Sequence, residues 1–183
     1  MKKQISLFVL FSLYIIPFCF GQYTQQVTNV KQQAKLMAEA SIKRDYKTLF
    51  KYLDLDGFPK GKLNKITMSK ALATVQKADS QMIKQGIIIE KITFGDVLSI
   101  LKVDYQLQCT LVQIKEMKMQ FGRAVSKSTL VAISDDNGIT WKFVDAIGRD
   151  KLEMKRLMPN LSDKLMFATP EAPKFINDIK PVK

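Results

Sequence analysis

Asp145 and Tyr105 are the two side chains whose chemistry could act on a substrate. A carboxylate walled in by aromatic rings loses hydration, holds its proton more tightly and suits proton abstraction. A phenol opposite it would donate a hydrogen bond to the oxygen on which charge develops. Trp141 and Phe143 share a strand face with Asp145, and Cys109 shares one with Tyr105. If both faces turn inward, Tyr105, Cys109, Trp141 and Phe143 line a ligand cavity, with Asp145 as general base and Tyr105 as donor. A structural reading of Asp145 stands beside this one. Next to the turn at Gly148, it would bond to backbone or pair with Arg123 or Arg149. Tyr105, Trp141 and Phe143 likewise read as core side chains.

Other chemistries are excluded by residue type. The chain has 183 residues and no histidine, which removes Ser-His-Asp and Cys-His nucleophile systems and His-ligated zinc. It carries no glycine-rich phosphate loop, no paired carboxylates at a recognisable spacing and no cysteine cluster. Asp135 and Asp136 lack the ligand spacing and distal glutamate of a calcium loop. No metal and no cofactor are expected.

The elements that must position these residues show in the periodicity. Val27, Val30, Ala34, Met37, Ala38 and Ser41 mark one face of a helix over Thr24 to Lys43. Asp45 caps a second helix bearing Leu49, Phe50 and Leu53, and a third runs from Leu63 to Gln85 and ends at Gly86. Val103, Tyr105, Leu107, Cys109 and Leu111 then alternate with polar residues, predicting a strand. At Leu111-Val112 the apolar phase slips, which predicts a bulge. A turn near Gln120-Phe121-Gly122 leads to a strand over Ala124 to Ser134. The run Asp135-Asp136-Asn137-Gly138 is a hairpin turn before a return strand over Thr140 to Ala146. A short helix over Asp150 to Leu157 precedes a proline-interrupted tail read as irregular. Helices grouped early and antiparallel strands grouped late predict an α+β fold, with N-terminal helices packed on a strongly bent antiparallel sheet.

The destination of the chain is written at its start. Lys2 and Lys3 precede an uncharged apolar run from Ile5 to Phe20, and Cys19 and Gly21 supply the small residues of a cleavage site. These are the parts of a secretory signal peptide over residues 1–21, so an exported, periplasmic or extracellular protein is expected. The 16-residue run is shorter than the roughly 20 residues that span a bilayer, so no stable membrane insertion is expected after cleavage. Only Cys109 would remain, leaving no intrachain disulfide. The formal charge of +12 comes from lysines dispersed singly along the chain, which argues against nucleic acid and for weak attraction to anionic envelope surfaces.

Two resemblances carry these expectations further. Ser134-Asp135-Asp136-Asn137-Gly138-Ile139-Thr140-Trp141 resembles the Asp-box S-x-D-x-G-x-T-W of sialidase-like propellers. In that family the box is a structural hairpin repeated around the propeller, and a chain of 183 residues with one copy cannot build one. Three helices ahead of an antiparallel sheet resemble the NTF2-like (cystatin-like α+β) superfamily, which includes SnoaL and ketosteroid-isomerase-like proteins. Ala38 to Leu53, Thr129 to Asp145 and Leu157 to Leu165 resemble small exported proteins of Bacteroidetes-type bacteria. The resemblance implies a cone over residues 22–167 with a tail at 168–183, and a pocket between sheet and helices. It transfers a fold, not an activity. The expectation is a non-catalytic domain that binds a small apolar ligand or a protein partner in the cell envelope, with an isomerase- or cyclase-like enzyme as the alternative. By analogy with the fold, a homodimer would form through the outer face of the sheet.

Overall fold

A computed structural model describes residues 16–54 and 68–177, with side chains described from Gln22 in the first helix and from Ser69 in the third. The start of the expected signal peptide lies outside the described residues, as does the expected beginning of the third helix at Leu63. Among the described residues, four helices and a six-stranded antiparallel sheet form an α+β fold. The helices are α1 (Ile16–Ile42), α2 (Tyr46–Tyr52), α3 (Met68–Lys84) and α4 (Lys151–Leu157). The strands are β1 (Ile88–Val97), β2 (Leu101–Val103), β3 (Gln106–Met119), β4 (Gly122–Ser134), β5 (Lys142–Asp145) and β6 (Lys174–Ile176).

The sheet is built around the long β3–β4 hairpin. Its ladder runs without a slip from Leu107↔Ser134 to Met119↔Gly122. On its flanks, β1 and β2 lie along β3, while β5 and β6 lie along β4. The bulge expected at Leu111-Val112 falls on the facing strand: β1 takes three steps from Phe94 to Val97 while β3 takes two from Gln113 to Leu111, and a second shift lies between Ile89 and Lys91. The tail at 168–183, read as irregular, contributes β6, which pairs Arg123, Ala124 and Val125 of β4.

Two apolar layers enclose one end of the hairpin. On the inner face, Cys109, Leu111, Leu130, Ala132, Trp141 and Phe143 meet Val30, Ala34 and Met37 of α1. The apolar stripe of α1 supplies this contact because its residues recur at helical spacing. On the outer face, Val131, Ile133, Val144 and Ala146 are covered by Met154 and Met158 together with Leu161 and Leu165. The chain itself therefore covers the outer face over β4 and β5, the surface expected to meet a second copy. Asp150 caps α4, accepting from the Glu153 N–H at 2.8 Å while Glu153 accepts from the Asp150 N–H at 3.0 Å.

The Asp-box motif fastens the inner layer. Ser134 Oγ accepts from the Gly138 N–H at 2.8 Å, and Asp136 accepts from the Thr140 N–H at 2.8 Å and the Thr140 hydroxyl at 2.6 Å. Trp141 lies beneath, its indole N–H donating to the Gly138 carbonyl at 3.1 Å. Three α1 amides reach across to the hairpin: Gln26 to the Asn137 carbonyl, Asn29 to Gly138 and Gln33 to Ile139. Gly138, at φ +88°, has no room for a Cβ, which would meet Gln26 Cγ at 2.6 Å.

The other end of the molecule is held more lightly. The face of α3 carrying Leu72, Val75 and Met82 is only half-buried. A cluster on Asp79 ties the helix down, accepting from Arg44 Nε at 2.9 Å and from the Tyr46 hydroxyl. Burial first, then the Asp79 hydrogen bond and charge, pushes the Tyr46 phenol above its ordinary value.

Candidate functional site

Asp145 ends β5, where its Cα partner is Leu130 of β4. Paired residues share a face, so Asp145 points to the inner side, with Phe143 and Leu130. Along that side the hairpin changes character. The row Leu111–Leu130 is apolar, and the next rows are Gln113–Ser128 and Lys115–Ser126. The apolar phase slip read at Leu111-Val112 records this change of which face is apolar; the pairing with β4 is unbroken there, while that with β1 shifts.

The polar rows engage the carboxylate. Asp145 Oδ2 accepts from Gln113 Nε2 at 2.8 Å and from Lys115 Nζ at 2.5 Å. Gln113 Nε2 also donates to Ser128 Oγ at 3.3 Å. Asp145 Oδ1 is buried and has no hydrogen-bond partner among the described residues. The structural reading of Asp145 therefore holds in kind, though its cation is Lys115, not Arg123 or Arg149. The phase slip at Leu111-Val112, read as a bulge, hides Gln113 and Lys115 in the sequence. Alternation read through position 111 would have put both on the inner face.

Cys109, Trp141 and Phe143 do face inward, as expected, but they do not line a hollow. Their exposures are 0%, 1% and 1%, because α1 packs directly on them. Burial pushes the Cys109 thiol up to about 12, so it is neutral and inert as a nucleophile.

Tyr105 overturns its sequence assignment most fully. It is 71% exposed and sits in the two-residue turn Asp104-Tyr105 between β2 and β3, with Asp104 at φ +51°. Val103 pairs with Gln106, so this turn puts Val103 and Leu107 on opposite faces although their spacing suggested one. Tyr105 lies beyond the Ser134 end of the hairpin and Asp145 lies alongside Leu130, so the two stand at different places along it.

Tyr105 instead forms one wall of a cleft of about 310 Å³ on the outer side of the sheet. Ile133, Met158 and Leu161 supply its apolar lining. Buried Gln108 fixes the back wall, donating to the Asn160 carbonyl at 3.0 Å and accepting from the Ser162 N–H at 3.0 Å. Charged groups ring it: Asp54, Asp135, which accepts from Gln106 Nε2 at 2.8 Å, and Lys142, which donates to the Lys51 carbonyl. Six polar or charged side chains and four apolar ones line it, a mixed surface in which fixed polar groups can orient a small molecule. No family model matches this chain, and neither the curated proteins nor the solved structures contain a match to it.

Proposed function

We propose that the chain is an exported, non-catalytic binding module on the NTF2-like plan, and that its ligand seat is the cleft beneath Tyr105. Export is supported by the basic start and apolar run of residues 1–21. The NTF2-like plan is supported by helices that precede an antiparallel sheet and pack on its inner face. A binding role is favoured over the isomerase alternative because Asp145 Oδ2 is shared between Lys115 and Gln113, while Tyr105 stands at another place in the fold.

The observation that carries the reading is the exposed Tyr105 ring at a cleft lined by Ile133, Met158 and Leu161. A large aromatic side chain left 71% exposed beside such a lining offers a stacking wall that water satisfies poorly. The occupant that fits is a small molecule with a flat apolar body and at least one polar group, the latter meeting Asp135, Lys142 or the Asn160 amide. Native mass spectrometry of the purified protein, with amide NMR during titration of small aromatic fragments, tests this. A bound molecule, or shifts confined to Tyr105, Ile133 and Leu161 that vanish in Tyr105→Ala, is the expected result. An empty protein whose cleft amides respond to no fragment overturns it.

A further inference from the structure

We propose that the end of the sheet around the β3–β4 turn is a docking surface for an anionic lipid bilayer. Five of the twelve large apolar side chains exposed among the described residues gather at this end. Phe121 occupies the turn itself and is 66% exposed. Phe175 and Ile176 belong to β6, which pairs with β4 immediately after that turn. Ile88 opens β1 opposite Lys118, and Ile83 lies at the end of α3, whose following Gly86 approaches Gln120. Scattered exposed apolar residues need no explanation, but a cluster at one extremity does.

The charges around the cluster select the partner. Lys84, Lys118 and Lys174 are exposed there. Of the nearby carboxylates, Glu116 is matched by Lys91 at 3.2 Å and Glu171 by Lys127 at 3.1 Å. A hollow of about 330 Å³ lies between Lys118 and Arg123, with Glu90 on its border. This excess of cations matches the formal charge of +12 for the whole chain. Aromatic and aliphatic side chains entering the headgroup boundary, with lysines and arginines meeting phosphates around them, are the physical requirements for peripheral binding to an anionic membrane. No helix among the described residues is long and apolar enough to cross a membrane, so this contact is superficial. β6 belongs to the same surface. Its backbone approaches so closely that a Cβ on Gly122 would meet the Ile176 carbonyl oxygen at 2.2 Å.

Co-sedimentation of the full chain with phosphatidylglycerol vesicles, against phosphatidylcholine vesicles, tests the proposal. Binding to the anionic vesicles is expected, weakened by added salt and reduced by roughly tenfold or more in Phe121→Ser/Phe175→Ser. Because these side chains are exposed, the double variant should keep its circular dichroism spectrum and melting temperature. In Phe121→Trp, the new indole should shift its emission to the blue on vesicle addition. Three results overturn the proposal. They are no sedimentation with phosphatidylglycerol at low salt, sedimentation undiminished in the double variant, or a self-association in solution that the double variant abolishes.

Discussion

The two halves of the β3–β4 hairpin share one unbroken ladder and differ in almost everything attached to it. From Leu107 to Leu111 and Leu130 to Ser134, α1 covers one face, while α4 and the segment through Leu165 cover the other. Beyond that, the inner face turns polar at Gln113–Ser128 and Lys115–Ser126, and the flanking strand β6 has no buried side chain. Regular backbone pairing thus says little about how firmly a region is held. The apolar area removed from water on each face decides that.

The largest effect should come from Trp141→Ala. The indole is 1% exposed in the doubly covered half, and its loss should cost about 3–5 kcal/mol in urea unfolding. Met117→Ala, a half-buried site in the other half, should cost about 1 kcal/mol or less. Equal losses at the two sites would break the comparison.

An intermediate effect is expected where the halves meet. Lys115→Met leaves Asp145 25% exposed, with Gln113 as its remaining donor among the described residues and one oxygen already unpartnered. That should cost about 1–3 kcal/mol, and Lys115→Met/Asp145→Leu should recover most of it. A silent single variant would show that this boundary is as open as the hairpin tip.

The smallest effect is a dependence on pH in the fastened half. Burial alone would raise the Asp136 carboxyl, but hydrogen bonds from Thr140, Ser134 and the Ile139 backbone outweigh it and hold the group below its ordinary value of 3.8. A folded-state value below the unfolded one stabilises the fold above 3.8, and that stability is lost as pH falls through the lowered value. Asp136→Asn should therefore lose stability at neutral pH and show a flatter acid limb in urea melts. An unchanged acid limb would remove the Asp-box from the list of fasteners.

Where local chemistry sets the backbone, the sequence was legible. The Asp45 cap, the short helix opening near Asp150, the glycine ending α3 and the Asp-box hairpin all depend on residues within a few positions of one another. The expected inward direction of Trp141, Phe143 and Cys109 followed from alternation and holds. Whether they enclosed a hollow depended on how closely α1 approaches, and nothing local to those strands encodes that distance. Two misreadings have one origin. Alternation by itself implies neither a continuous strand nor a fixed apolar face. At Asp104-Tyr105 a turn without glycine or asparagine interrupts the strand while the alternation runs on. At Leu111 the strand continues while the apolar side changes. The cleft beneath Tyr105 was out of reach for another reason. It joins residues from Asp54 to Leu161, separated by most of the chain.

The amides of Gln26, Asn29 and Gln33 close their bonds with carbonyls that follow more than a hundred residues later. During synthesis these three amides must wait for the chain to pass Ile139 before they find their acceptors. Such long sequence separations slow folding, because loop closure must come before the reward of contact.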